Sequence, residues 1–315
     1  MTNKLYTITF SPHLHKDDSV SKIMWTVALS LIPSGIAGVI IFGTSALWLT
    51  LIGILSALVT EAAIQIFTKK RVALLDGSAF LTGLLLAYNL PPNAPFWIPI
   101  IGSFFSVAIG KQVFGGLGQN IFNPALAGRV FLMASWPKYM TAFAKPLTYD
   151  AVTSATPLAL IKEGKILEHV SYLDLFLGNR GGCIGEVCIL ALLLGGLLLL
   201  LKGYISWHIP FTYIATTGLF TYAFAGRTGL FSGDWLFHIL SGGLILGAIF
   251  MATDYVTSPL TRKGQIIFGT GCGLLTAIIR IWGGYPEGTS YAILMMNAAT
   301  PIIDRYTKNR KYGAK

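Results

Sequence analysis

The chain has 315 residues, of which 54% are apolar and only 11% are charged, whereas soluble domains have about 25% charged residues. Its mean hydropathy is +0.66. This composition excludes a soluble enzyme, and the absence of a strict glycine period excludes a fibrous protein. The excess of 23 Lys and Arg over 13 Asp and Glu is therefore explained by orientation in a membrane rather than by nucleic-acid binding.

Apolar stretches predict an all-α polytopic membrane protein with about ten transmembrane helices. The first stretch follows a polar leader that contains Asp17 and Asp18, and no small-residue cleavage site comes after it, so we do not interpret it as a signal peptide. The predicted spans are 23–43, 45–67, 77–91, 95–110, 121–137, 184–201, 206–224, 234–252, 265–282 and 289–303.

The distribution of basic residues predicts that both termini are cytoplasmic. With the N-terminus inside, fifteen Lys and Arg residues fall in inner loops and six fall outside, while Arg129 and Arg280 lie within or at the ends of spans. Positive charge concentrates on the cytoplasmic side of membrane proteins. The long polar segment 138–183 is therefore expected to be extracytoplasmic.

The two halves of the chain resemble each other. Segment 102–116 aligns without gaps on 271–285, so that Lys111 meets Arg280. Five spans in each half is an odd number, which predicts two inverted five-helix repeats with broken helices. The predicted organisation is a leader (1–22), a first repeat (23–137), an extracytoplasmic segment (138–183), a second repeat (184–304) and a basic cytoplasmic tail (305–315).

Three glycine-rich polar clusters interrupt the apolar pattern, at 76–78, 115–125 and 285–291. Asn120 and Asn123 are three residues apart, so we expect them to share one helical face and to bind a flat heteroaromatic ring or a hydrated ion. Helix capping with close packing is the alternative explanation. Capping is also the role expected for Glu287 in the last cluster.

Other ionisable residues within the spans are candidates for an ion path or for structural pairing. Glu61 and Asp254 are the candidates for an ion path. Arg129 and Arg280 are interpreted as structural counter-ions. The three cysteines are interpreted as apolar fillers, and no metal site is predicted.

The outer segment contains the sequence Asp150-Ala-Val-Thr153-Ser154-Ala-Thr156-Pro-Leu. A threonine before a proline is typical of a helix N-cap followed by proline at the first helical position. Pro157 also favours an extended backbone at Thr156, and we expect that backbone to present the threonine hydroxyl outward.

These motifs together resemble the RnfD/NqrB family of membrane subunits in ion-pumping redox complexes. The resemblance rests on the segment that ends in Thr156-Pro-Leu and on three further signatures, at 115–125, 252–259 and 285–294, in the family's order. It covers about residues 20–312, and the short leader is similar to that of the RnfD branch.

The resemblance implies two flavins. In the family the last threonine of the outer motif is joined to FMN through a phosphoester, which corresponds to Thr156 here. Asp150, Thr153 and Ser154 complete the motif, although many members have Gly at the position of Ser154. The second flavin, a non-covalent riboflavin, is implied at Asn120 and Asn123.

The resemblance also implies a function and partners. The chain is expected to relay electrons across a prokaryotic cytoplasmic (inner) membrane, within an Rnf-type ferredoxin:NAD oxidoreductase that translocates Na⁺ or H⁺. Its expected partners are a flavin transferase, the lipid bilayer and the sister proteins RnfA, RnfB, RnfC, RnfE and RnfG, with no nucleic acid.

The architecture alone fits equally a channel or carrier for a small polar solute. The flavin motif ending at Thr156 favours the redox function, since a carrier has no use for it. A purely structural scaffold leaves the buried polar clusters unexplained.

Overall fold

The protein is described by a computed structural model that covers residues 18–144, 146, 153–163, 171–226 and 229–308. Almost all regular structure in these residues is helical, as predicted. The first half contains α1 (Val20–Ser30), α2 (Ile32–Phe42), α3 (Thr44–Phe67), α4 (Ser78–Tyr88), α5 (Trp97–Val107) and α6 (Pro124–Ser135).

The rest of the described chain begins with short outer elements and continues into a second set of long helices. The outer elements are α7 (Pro137–Met140), β1 (Phe143–Ala144), β2 (Thr153–Ser154), α8 (Pro157–Lys162) and α9 (Tyr172–Leu177). The second half contains α10 (Ile189–Leu201), α11 (His208–Phe224), α12 (Trp235–Leu240), α13 (Leu244–Leu246), α14 (Arg262–Ile281) and α15 (Thr289–Tyr306).

Each of the ten predicted spans contains helix. By length and composition, three stretches of the described residues are suited to cross a membrane: Val20–Phe42, Thr44–Phe67 and Arg262–Ile281. The other spans are shorter, less apolar or interrupted. Two helices continue as π-helical turns, α5 into Ala108–Gln112 and α13 into Gly247–Met251; such turns are frequent at functional sites.

The helices of the two halves pack in a similar order. In the first half, α3 packs against α4 and α5, and α5 packs against α6. In the second half, α11 packs against α12 and α14, and α14 packs against α15. The halves meet where α1 and α2 contact α10 and where α6 contacts α15.

The surface and the interior have the polarity expected of a membrane protein. Large apolar side chains such as Ile40, Val59 and Leu219 are more than 60% exposed on the helix surfaces. Ionisable side chains, Glu61 and Lys111 among them, are instead buried between helices. Because charges are costly in hydrocarbon, this distribution orients the apolar faces toward lipid.

One close helix contact in the first half depends on a glycine, which has no side chain. At Gly83 in α4, a Cβ atom would lie 2.7 Å from the carbonyl oxygen of Gly53 and 2.8 Å from the Cα of Ile54, both in α3. These are backbone atoms of a helix, which cannot move aside independently. The absence of a side chain at Gly83 therefore sets the distance between α3 and α4.

Gly83→Ala is expected to lower the free energy of unfolding by about 1–3 kcal/mol, because α3 and α4 would have to separate. Gly284→Ala is the matched control, since a Cβ atom there meets nothing within 4 Å. Thermal melting in detergent, followed by tryptophan fluorescence, compares the two variants. Equal melting temperatures would contradict the proposed helix contact.

Candidate functional site

One cavity, named here the asparagine cavity, lies between the two halves and brings together residues from three predicted motifs, at 76–78, 115–125 and 252–259. Its polar lining includes Asn120, Asn123, Asp254, Ser78 and Lys111. Much of the remaining lining is apolar, with contributions from Leu81, Leu85, Ile249 and Phe250. An apolar cavity with a few convergent polar groups is typical of a site for a small organic ligand.

Asn120 and Asn123 do not share a helical face, so that expectation is wrong. Both precede α6, and Asn123 is its N-cap, with Oδ1 accepting from the backbone N–H groups of Ala125 and Leu126 at 3.1 and 3.3 Å. Pro124 disfavours helical backbone at the residue before it, so the helix begins after Asn123. Both asparagines nevertheless line the asparagine cavity.

Glu61 forms a buried ion pair with Lys111. Both carboxylate oxygens of Glu61 lie 2.8 Å from the Lys111 ammonium, which also donates to Ser78 Oγ at 2.6 Å. The amides of Gln65 and Gln112 donate to the same carboxylate at 3.0 and 2.9 Å. The predicted span 95–110 ends just before Lys111 and so placed it in an inner loop. This was wrong, because its side chain is only 2% exposed.

Asp254, the second ion-path candidate, also lies in the asparagine cavity. It follows the π-helical turn of the second half, and its Oδ2 accepts from Thr257 Oγ1 at 3.1 Å. An ion path through Glu61 or Asp254 stays a prediction, and Glu61 already has an ammonium and two amides as partners.

Thr156 lines a second cavity, named here the threonine cavity. Its other lining residues include Arg129, Glu287, Tyr285 and Tyr291. The rings of the two tyrosines stack with centroids 5.0 Å apart and an interplanar angle of 22°. The cavity therefore combines a hydroxyl, a cation and an aromatic surface.

Thr156 caps α8, as the residue types predicted. Its backbone is extended, with φ −65° and ψ 152°, and its Oγ1 accepts from the N–H of Ala159 at 3.2 Å. The expectation that the hydroxyl points outward is wrong, because Thr156 is only 4% exposed. The physical reason is that α8 is docked through Leu158, which packs with Leu175 and Phe237.

Lys162 anchors the C-terminal end of α8 through hydrogen bonds. Its ammonium donates to the carbonyl oxygens of Tyr285 at 2.8 Å and Ile279 at 3.4 Å. Partial burial lowers the pKa of Lys162 from its ordinary value. The rest of the outer motif is only partly described: Thr153 and Ser154 form β2, paired with Ala144 and Phe143, and Asp150 lies outside the described residues.

Beside the threonine cavity, Arg129 joins three distant segments. It donates to Glu287 Oε2 at 2.8 Å, to Asn89 Oδ1 at 2.5 Å and to Cys183 Sγ at 3.8 Å. The structural role predicted for Arg129 is confirmed. The capping role predicted for Glu287 is wrong, because Gly288 is the N-cap of α15 and has no side chain to cap with.

The segment before α10 contains two charged residues that were not among the predicted site residues. Arg180 and Glu186 are 5% and 1% exposed and lie in irregular chain, since the helix starts only at Ile189 rather than at the predicted residue 184. Arg180 donates to the carbonyl of Glu186 at 3.1 Å, and Glu186 Oε1 accepts from the Cys183 N–H at 3.0 Å. The sequence feature that could have identified Arg180 and Glu186 as site residues is a charged residue close to glycines within an apolar stretch.

Arg280 fixes the interruption between α12 and α13. Its guanidinium donates to the carbonyl oxygen of His238 and, at 3.1 Å, to that of Ser241. These bonds satisfy carbonyls that the broken helix leaves free. Arg280 is therefore a structural residue, although it binds carbonyls rather than the carboxylate expected of a counter-ion.

The fold and the two cavities define a multi-pass membrane protein in which two similar helix bundles enclose paired charges and cavities with both polar and apolar linings. Membrane redox subunits and ion-translocating proteins share this organisation.

The chain belongs to the NQR2, RnfD, RnfE family, whose model matches residues 7–313. It is 54% identical over 310 residues to the D subunit of the Na⁺-translocating ferredoxin:NAD⁺ oxidoreductase complex of Acetobacterium woodii, covering 98% of this chain and 95% of that one.

The chain is also 51% identical to the D subunit of the proton-translocating ferredoxin:NAD⁺ oxidoreductase complex of Clostridium ljungdahlii, covering 99% of this chain and 97% of that one. Identity to the D subunit of the ion-translocating oxidoreductase complex of Stutzerimonas stutzeri is 42%, with 94% and 92% covered. The similar identities to a sodium-translocating and a proton-translocating relative favour neither ion.

Lys111→Met is expected to destabilise the protein by about 3–5 kcal/mol, because it leaves the Glu61 carboxylate buried without its cation. The double variant Lys111→Met/Glu61→Gln removes both charges and should recover most of that loss. Together with Glu61→Gln, these variants form a double-mutant cycle, and thermal melting measures the loss of stability in each. Additive losses would show that the two side chains are not energetically coupled.

Proposed function

We propose that this chain is the RnfD component of an Rnf-type complex, which transfers electrons between ferredoxin and NAD⁺ and translocates Na⁺ or H⁺ outward. Support comes from its family membership and from relatives that are the D subunits of such complexes, which it matches over at least 92% of their length. The chain is one component of this oxidoreductase and translocase, and it completes no reaction alone.

The proposed location is a prokaryotic cytoplasmic membrane, with both termini cytoplasmic and segment 138–183 extracytoplasmic. The charge distribution supports this orientation: without the buried Lys111, fourteen basic residues are inside against six outside. The proposed partners are RnfA, RnfB, RnfC, RnfE and RnfG, together with a flavin transferase that acts during maturation.

The proposed covalent cofactor is FMN, joined to Thr156 by a phosphoester. The observation that supports it best is that Thr156 lines the threonine cavity together with Arg129 and the Tyr285–Tyr291 stack. The residues fit the group, because a guanidinium suits a phosphate and aromatic faces suit a flat ring. FMN would supply the redox chemistry, and the chain would hold it and exclude water.

The burial of Thr156 has a consequence for attachment. A residue only 4% exposed is not accessible to a modifying enzyme. The transferase would therefore act while α8 is away from its docked position, before Leu158 and Lys162 make their contacts. Covalent attachment would then retain the flavin at a site close to the extracytoplasmic solvent.

The proposed second cofactor is riboflavin, bound without a covalent bond in the asparagine cavity. Asn120, Asn123 and Asp254 offer donors and acceptors there, and the surrounding apolar side chains suit the ring. With one flavin in each cavity, the protein would relay electrons between an extracytoplasmic flavoprotein and the cytoplasmic subunits that handle ferredoxin and NAD⁺.

The proposed covalent flavin is tested by removing its acceptor hydroxyl. Expressed with its flavin transferase, the wild-type protein should give a band on a denaturing gel that fluoresces under ultraviolet light. Thr156→Ala should give a dark band, because the acceptor hydroxyl is gone. Thr141→Ala is the matched control, since it removes a hydroxyl from the same cavity and should stay fluorescent.

A dark wild-type band, with an intact mass that shows no FMN adduct, would contradict the covalent flavin. The protein would then be better explained as a channel or carrier for a small polar solute. The interrupted helices and the polar lining of the asparagine cavity favour that alternative on structural grounds.

The proposed non-covalent flavin is tested by changing one residue of the asparagine cavity. Asn120→Ala should reduce the riboflavin released on denaturation severalfold, because Asn120 lines the asparagine cavity without capping a helix. Chromatography of the denatured supernatant measures the ratio of flavin to protein. The covalent fluorescent band serves as the internal control and should be unchanged. An unaltered ratio would place the second flavin elsewhere.

A further inference from the structure

Five buried or nearly buried charged side chains lie together beside the threonine cavity. They come from α6, α14, the irregular chain before α10 and the turn before α15, and they interact electrostatically with one another. With three guanidiniums and two carboxylates, their formal net charge is +1. This group, the five-charge cluster, consists of Arg129, Arg180, Arg280, Glu186 and Glu287.

The hydrogen bonds within the five-charge cluster leave several of its polar atoms without a partner in the described residues. Among the described residues, no partner is found for Glu186 Oε2, Glu287 Oε1, Arg180 Nε or Arg280 Nε. Buried polar atoms normally have partners, and a net charge away from water is costly. The cluster therefore has both spare hydrogen-bonding capacity and an unbalanced positive charge.

The five-charge cluster faces the site proposed for the covalent flavin. Arg129 and Glu287 line the threonine cavity together with Thr156. Gly242 lies at the junction, since a Cβ atom there would be 2.9 Å from Leu158 of α8, 3.0 Å from Glu287 Oε1 and 3.3 Å from Arg280 Nη2. The same glycine therefore contacts the capped helix and the cluster.

We propose that the five-charge cluster is the counter-charge of the flavin at Thr156 and sets its reduction potential. This inference rests on the proposed function. The phosphodiester link would have one negative charge, which balances the cluster's excess of one positive charge. Two electrons delivered by the partner subunits, with uptake of one proton, add a further negative charge to the ring. A positive cluster in a low-dielectric interior stabilises that reduced form.

Glu186→Gln is the decisive variant, because it changes charge with little change in shape. Glu186 Oε1 accepts from the Cys183 N–H, and an amide oxygen can keep that bond. The other oxygen has no hydrogen-bond partner to lose within the described part of the chain. Removing this negative charge should raise the midpoint potential, favouring the reduced flavin about tenfold, which is about 30 mV for a two-electron couple.

Arg180→Gln should shift the potential in the opposite direction, because it removes a positive charge from the cluster without changing the cavity lining. The double variant Arg180→Gln/Glu186→Gln is the matched control. It removes one charge of each sign from neighbouring residues and keeps the net charge, so its potential should return toward that of the wild type. A role limited to packing would change melting temperature without this reversal of sign.

The potentials are measured by spectroscopic redox titration of the purified, flavin-loaded protein. The titration wave that is absent from Thr156→Ala is assigned to the covalent flavin. If Arg180→Gln fails to fold, Glu186→Gln still tests the direction of the shift in potential.

A fluorescent wild-type band with an unchanged or lowered potential in Glu186→Gln would overturn the inference and leave the proposed function intact. A dark wild-type band would instead remove the proposed function itself.

Discussion

A charge enclosed in a helix bundle within a membrane has to be paired, because neither lipid nor distant water can solvate it. In this protein the pairing partners are far apart in sequence. Lys111 binds Glu61, fifty residues away, and Arg129 binds Glu287, 158 residues away. Each pair joins separate spans, and one member of each pair lies where a helix begins or ends.

The two halves use the same scaffold for different chemistry. Lys111 and Arg280 are aligned in the repeat, and each reaches the interrupted third span of its own half. Lys111 binds a carboxylate and Ser78, whereas Arg280 binds the carbonyls of His238 and Ser241. One half thus contributes a paired ammonium to the asparagine cavity. The other contributes a guanidinium to the five-charge cluster beside the threonine cavity.

Local features were predictable from the sequence, because they depend on neighbouring residues. The helices, the cap at Thr156 before Pro157 and the interruption before Ser78 follow from hydropathy and from the chemistry of proline and glycine. Side-chain partners across the bundle were not predictable. Glu287 was expected to cap a helix because nothing in the sequence near it points to Arg129.

The errors at the two sites have different physical causes. The outward hydroxyl of Thr156 was inferred from local backbone preference, and tertiary packing of α8 through Leu158 buries it instead. The shared helical face of Asn120 and Asn123 fails for a local reason, because α6 begins only at Pro124.

Two flavin sites within one helix bundle are the central claim, and the most direct measurement of them is a cryo-electron microscopy map of the complex purified with its flavins. We expect planar density continuous with Thr156 Oγ1 in the threonine cavity, and separate planar density beside Asn120 in the asparagine cavity. Side chains filling both cavities, or flavin density bound elsewhere on this protein, would contradict the claim.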